Sequence, residues 1–316
     1  MNLSGTVLKG RYCILNPVGK GGGGKVYLAR DLELGVLWAV KEIPVSDKSE
    51  ARMLLKLSHP SLPKMIDYIE DNRKCYLVME YVRGKSLGEY LRGGKHFSIN
   101  EIVKYGMEIS DVFSYFHGRK PPVYYGDLKP DNLMLGENGR LYLIDLGGAV
   151  NGYKYHHKVC TGTAGFAAPE QYESQGQTDA RTDIYSLGVM LFELVTGESP
   201  HRLCPVRKIR PELSAGLESI LEICTQTDPA ERFSSCAELK YALEHSWEMD
   251  ERYQKRQKRK LAGFFTPVAA SICLGIGGIV FSGLETRASQ NTYEAYLTAA
   301  GNAAAERNLN RLRLPA

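Results

Sequence analysis

Asp127, Lys129, Asn132 and Asp145 follow one another through YYGDLKPDNLML and LYLIDLGGAV, and GTAGFAAPEQY comes after them. These residue types can transfer a phosphoryl group. Asp127 offers a carboxylate base to an incoming hydroxyl, and Lys129 brings positive charge close to the group in transit. Asn132 and Asp145 supply side-chain oxygens, which suit the hard cation Mg²⁺. Each alone could be a turn former or a surface charge; the ordered set argues against coincidence.

Upstream, GKGGGGKV poses a choice between phosphate cradles. The spacing of Gly19, Gly24 and Lys25 imitates G-x-x-x-x-G-K-[ST], but Val26 lacks the hydroxyl that such a loop gives to Mg²⁺. Gly19, Gly21 and Gly24 also form G-x-G-x-x-G. A helix after the last glycine would suggest a dinucleotide, whereas KVYLAR favours a strand. The loop therefore reads as a hairpin lid whose glycines let backbone approach phosphate oxygens. Lys20 and Lys25 read as solvated charges. Lys41, mid-strand in WAVKEI, is either an edge residue that snorkels to water or a buried cation that needs an anion. Glu50, in the first turn of the helical pattern KSEARMLLKL, can supply that anion.

The elements that must hold these residues follow from hydrophobic period. Residues 12–82 read as mostly strand: YCILNPVG, KVYLARD, VLWAVKEI and CYLVMEYV are extended runs, with one helix over KSEARMLLKL. From Ser86 the period becomes helical, in SINEIVKYGMEISDVFSYFHG, TDIYSLGVMLFELVTG, LESILEICTQ and SSCAELKYALEHSW. The expected fold is α+β and bilobal, a small β-rich lobe and a larger helical one ending near His245, joined by RGKSL at 83–87.

Composition narrows the partners. The 316 residues carry a net charge of +4 spread along the chain, which implies no nucleic acid. Seven scattered cysteines without C-x-x-C pairing read as thiols in a reducing compartment, and the N-terminus has no secretory apolar run. Residues 261–284 form 24 positions without a charged side chain, preceded by the basic run RYQKRQKRK. The length suffices for a transmembrane helix, and the positive flank places residues 1–260 in the cytoplasm, with 246–260 juxtamembrane and a short extracytoplasmic tail at 285–316. The lipid bilayer is then an expected partner.

Taken together, the motifs over 12–245 resemble those of the eukaryotic-type serine/threonine protein kinase family, in particular its bacterial membrane-anchored group. The resemblance implies a bilobal protein-kinase-like fold followed by a single transmembrane helix, with ATP and Mg²⁺ as cofactors, Mn²⁺ as a substitute, and protein substrates. Gly19, Gly21, Gly24 and Val26 match the glycine-rich loop, Lys41 the phosphate-pairing lysine and Glu50 its helical partner. Ala39, the gatekeeper position Met79 and the hinge Glu80 to Val82 fall among the nucleotide-binding positions. Asp127 matches the base, Lys129 the lysine of serine/threonine specificity, and Asn132 and Asp145 the metal ligands. Thr163 matches the threonine that orients the base, Asp183 the anchor of the catalytic loop, and Arg232 the partner of Glu170 in APE.

Two departures bear on control. Tyr125 and Gly126 stand where the family has histidine and arginine, and Leu146 replaces phenylalanine in the metal-binding DFG. Tyr125 is expected to fill the histidine's space by packing. Without the arginine, a phosphate on Thr161 loses its leverage, so Thr161 phosphorylation is expected not to be obligatory. The same departures motivate an alternative, a membrane-tethered pseudokinase that binds nucleotide or serves as a scaffold. Self-association by proximity is a further expectation from the family's membrane forms. His117, His156, His157, Cys160 and His201 read as structural or solvated, and Trp38 and Trp247 as packing.

Overall fold

A computed structural model describes residues 3–21, 24–44, 55–71, 74–147, 149–151, 162–173, 179–201 and 203–246, with 284, 286–292, 294–295 and 298–299 beyond them. The chain divides into two compact units, Met1–Glu251 and Arg252–Ala316. In the first unit, strands β1 (Val7–Leu8), β2 (Tyr12–Gly21), β3 (Gly24–Asp31), β4 (Leu37–Pro44), β5 (Met65–Glu70) and β6 (Lys74–Glu80) form one sheet in the order β1-β2-β3-β4-β6-β5. Every pairing in it is antiparallel.

Alternation sorts the side chains of this sheet onto two faces. Tyr12, Ile14, Tyr27, Ala29, Val40, Tyr76 and Val78 form one buried cluster. Ala39, Ile43, Cys75, Leu77 and Met79 form the other, with Val26 packed against it. Lys41 is two residues from both Ala39 and Ile43 and so belongs to this second face. Strand β6 is buried on both sides, which explains the near-continuous apolar run CYLVM.

The second lobe begins with β7 (Gly84–Ser86), which pairs with β9 (Leu133–Gly136), itself paired with β10 (Leu141–Leu143). The chain therefore crosses between lobes at 81–83. Helices α1 (Leu87–Arg92), α2 (Ile99–His117), α3 (Ala180–Thr196), α4 (Ala215–Cys224) and α5 (Cys236–Glu244) surround the largest core cluster. Their starts are written in the sequence: Ser86 with Glu89 and Ser98 with Glu101 make reciprocal capping boxes, and Asp179, Ser214 and Ser235 cap α3, α4 and α5. Such caps contribute about 1 kcal/mol each. Helix α3 is buried along most of its length, because α2, α4 and α5 all pack on it. Gly106 of α2 has the side chains of Leu191 and Leu243 where a Cβ would stand, so its small size lets α2 approach α3 and α5.

The bilobal α+β expectation holds; its membrane extension does not. Among the described residues no helix is long and apolar enough to cross a membrane. The 261–284 run lies outside the described residues except for Leu284, and the helical residues described after it are exposed. The expected transmembrane helix, the membrane-anchored grouping, the bilayer as partner and the single-pass cell-membrane placement are corrected accordingly. An uncharged run meets only the length condition for a span; it does not by itself build the helix. The helix expected over KSEARMLLKL, with Glu50, also lies outside the described residues up to position 54, as do Thr161, His156, His157, Cys160 and Trp247.

Candidate active site

The catalytic-loop sequence connects β8 (Val123–Tyr124) to β9, and a buried carboxylate fixes its start. Asp183 of α3, fully buried, accepts from the backbone N–H of Tyr125 at 3.0 Å and of Gly126 at 2.8 Å. His117 Nε2 lies 2.8 Å from the same carboxylate, so this histidine is structural. Gly126 has φ +71°, a left-handed conformation that glycine adopts without a Cβ penalty. Glycine at 126, where the family has arginine, holds this conformation beside Asp127 without strain.

Asp127, Lys129 and Thr163 converge. The Thr163 hydroxyl donates to Asp127 Oδ1 at 2.6 Å and accepts from Lys129 Nζ at 2.7 Å. The Thr163 N–H also donates to Oδ1, at 2.9 Å, while Lys129 stands 3.4 Å from Oδ2. Asn132 donates Nδ2 to the Asp127 carbonyl at 2.8 Å, which leaves Oδ1 as the atom it could give a cation. This arrangement can orient a hydroxyl at Asp127 and keep a cation beside it.

Asp145 follows β10 and faces the other lobe. Its Oδ1 accepts from Lys41 Nζ at 2.5 Å and from the Gly147 N–H at 2.9 Å. Burial pushes the Asp145 carboxyl upward, but the Lys41 ammonium and these hydrogen bonds outweigh it and hold it below the ordinary value. Lys41 is 6% exposed, which decides between its two readings: it is a buried cation with an anion, not a snorkelling edge residue. Lys74 and Glu42 also pair, at 2.6 Å. Glu42 neighbours Lys41 on β4, so strand alternation turns that pair to the opposite face of the sheet.

The positions expected to bind nucleotide are assembled by register. Gly19 pairs with Val26 and Gly21 with Gly24, which makes the glycine motif the tip of the β2–β3 hairpin. Gly24 has φ +136°, and a Cβ there would overlap the Glu42 carbonyl oxygen, so only glycine fits. Val26 pairs with Lys41 and Ala39 with Met79. Met79 and Ala39 are buried on the Lys41 face. Glu80 ends β6 and Val82 lies in the crossing segment.

A buried ion pair braces the region after Thr163. Arg232 donates to Glu170 at 2.7 and 2.9 Å, and the Thr182 hydroxyl donates to the same carboxylate at 2.8 Å. Burial raises the Glu170 carboxyl, yet the Arg232 hydrogen bond leads the opposing interactions and the net direction is down.

Sequence reasoning missed one contribution of Tyr125. Its hydroxyl donates to the Asp145 backbone carbonyl at 2.5 Å, while its ring packs 5.7 Å from that of Phe113. The residue does more than fill space: it supplies a buried donor beside DLG. Burial first, then Asp145 and Asp127, push the phenol well above its ordinary value, so it remains a donor. The hydroxyl that distinguishes tyrosine from phenylalanine was the available signal.

The residues fit Mg²⁺ and nucleotide. No group of three His, Cys, Asp or Glu side chains able to hold a metal occurs among the described residues. Asn132 and Asp145 make a sparse oxygen set, as suits Mg²⁺, which keeps waters and takes further oxygens from phosphates.

The profile of the protein kinase domain family matches residues 12–248. The chain belongs to the protein kinase family, and DLKPDN, with Lys129, is of the serine/threonine type. Sperm motility kinase 2A of Mus musculus is 33% identical over 219 residues, 66% of this chain and 43% of the relative. CBL-interacting protein kinase 26 of Oryza sativa subsp. japonica is 33% identical over 255 residues, covering 72% and 51%. Aurora kinase B of Danio rerio is 30% identical over 253 residues, covering 73% and 77%. The chain thus spans less than two thirds of the first two of these relatives. Among solved structures, the kinase domain of Mycobacterium tuberculosis PknI superposes with a TM-score of 0.63 at 23% identity, over 77% of this chain and 98% of that one. That likeness establishes the fold.

Proposed function

We propose that this chain transfers the γ-phosphoryl group of ATP to serine and threonine hydroxyls of proteins, itself included, as a signalling kinase whose domain runs over 12–245. The observation that carries this reading most is the Thr163 hydroxyl held between Asp127 and Lys129 at 2.6 and 2.7 Å. ATP supplies the phosphoryl group when bound, and Mg²⁺, or Mn²⁺ in its place, offsets phosphate charge. The hairpin at Gly19, Gly21, Gly24 and Val26 would cover the phosphates. Ala39, Met79, Glu80 and Val82 would receive the base. Lys41 would hold phosphate oxygens, with Glu50 as its second anionic partner, and Asn132 and Asp145 would hold the cation.

Asp127 orients the acceptor hydroxyl and takes its proton, and Lys129 balances charge on the acceptor side. These are contributions of position and electrostatics. A scaffold that only bound nucleotide would have no need of the Asp127, Lys129 and Thr163 contacts. Incubating the purified full chain with γ-labelled ATP, Mg²⁺ and dephosphorylated casein, then mapping phosphosites, tests the proposal. Label on serine and threonine is expected; nucleotide binding with no label would favour the scaffold.

A further inference from the structure

Gln171 follows APE in the 3₁₀ turn Pro169–Tyr172, is 7% exposed, and has both ends of its amide engaged. Its Nε2 donates to the Gly126 carbonyl at 3.0 Å, and its Oε1 accepts from the Ala168 N–H at 2.8 Å. The partners fix the orientation of the amide, because a carbonyl can only accept and an N–H only donate. Gly126 immediately precedes Asp127, and Ala168 closes the loop that begins at Gly162 and carries Thr163. A single side chain therefore bridges the loop holding the base to the loop holding its threonine.

The packing around the bridge is close. A Cβ on Gly162 would come within 2.6 Å of the Ala167 Cβ, 3.1 Å of the Gly126 carbonyl oxygen and 3.3 Å of Gln171 Nε2. The overlap with Ala167 lies within the second loop, and the contacts to the Gly126 carbonyl and the Gln171 amide are tight ones across to the catalytic loop and the bridge. Within the second loop, the Phe166 and Ala167 N–H groups both bond the Thr163 carbonyl, at 3.0 and 3.1 Å, which ties Thr163 to the segment that Gln171 grips.

We infer that Gln171 is a positioning residue that clamps the 162–168 loop to the catalytic loop and so keeps Thr163 on Asp127. The inference rests on the kinase reading for its effect on transfer, and on geometry alone for the clamp. Gln171 is remote in role from Lys41 and Asp145, so the nucleotide side should not register its loss.

The test uses the full chain and Gln171→Met, which keeps length and volume but makes neither hydrogen bond. Expected are a fall of at least tenfold in kcat/KM for dephosphorylated casein, a KM for ATP within twofold of wild type, and faster amide exchange over 162–168 with α2 and α3 still protected. Should Gln171→Met expose α2 and α3 as well, Gln171→Glu keeps the acceptor for Ala168 and replaces the donor by a carboxylate oxygen that repels the Gly126 carbonyl; it should loosen 162–168 alone. Unchanged exchange over 162–168 overturns the clamp, as does unchanged casein kinetics with an active wild type. A wild type that transfers nothing refutes the kinase reading instead, and the exchange result then decides the clamp by itself.

Discussion

Tyr125→Phe removes one oxygen atom and leaves the ring against Phe113. The lost hydroxyl donates to the Asp145 carbonyl at 2.5 Å, in a place where Tyr125 has no exposure. Phenylalanine leaves that carbonyl without its donor. Net loss of a hydrogen bond costs about 0.5–1.5 kcal/mol, and a buried polar group left unpaired about 1–3 kcal/mol. A figure of about 1–2 kcal/mol is reasonable here, because the ring still fills its space. For a domain of this size, each kcal/mol moves Tm by about 2–4 °C, so a drop of about 2–8 °C is expected. Differential scanning calorimetry at pH 7.5 measures it, with Tyr241→Phe as control, since Tyr241 is 60% exposed. Activity should fall less than for removal of Asp145 itself, whose carboxylate keeps Lys41 and Gly147. A Tm within 1 °C of wild type would refute the role given to the hydroxyl.

Glycines at two positions of the hairpin should behave differently. Gly24→Ala forces a Cβ onto the Glu42 carbonyl at a left-handed φ and should raise KM for ATP at least fivefold, whereas Gly19→Ala meets nothing within 4 Å and should leave Tm near wild type. Steady-state kinetics and calorimetry on the pair check this. Glu193 of α3 has a buried Oε2 with no hydrogen-bond partner; burial, then the neighbouring Asp131 charge, raise its carboxyl from 4.5 to about 6. A folded value above the unfolded one means that stability falls as pH rises through that interval. Glu193→Gln should therefore raise Tm at pH 7.5 and lose the gain at pH 4.5, as thermal melts at the two pH values would show. Finally, Thr161→Ala should keep kcat within tenfold of wild type in the casein assay, because Gly126 presents no cation to a loop phosphate.

The parts of the site legible in the sequence were those governed by local period and local spacing. The glycines fell on a hairpin because KVYLAR continues as strand, and Asp127, Lys129 and Asn132 came together because six consecutive residues, DLKPDN, carry all three. Contacts across long separations were less legible. Lys41 and Asp145 are 104 residues apart, and only the closing of two lobes makes them an ion pair. Gln171 gave no signal of its own, since a glutamine in a turn reads as solvent-facing until both neighbouring loops are in place. Tyr125 was legible as bulk but not as a donor. The apolar run at 261–284 meets the length condition for a span, whereas among the described residues no helix is long and apolar enough to cross a membrane.

The central claim is that Asp127 carries the chemistry and Thr163 and Lys129 hold it in place. The initial rate of phosphoryl transfer by Asp127→Asn, measured beside wild type with γ-labelled ATP, Mg²⁺ and dephosphorylated casein, tests it most directly. Asparagine keeps the size of the side chain and an acceptor for Thr163 but takes away the base. Positioned general-base catalysis is worth about 10²–10⁴-fold, so a loss of that order with ATP affinity retained is predicted. Transfer by Asp127→Asn at the wild-type rate would contradict the account.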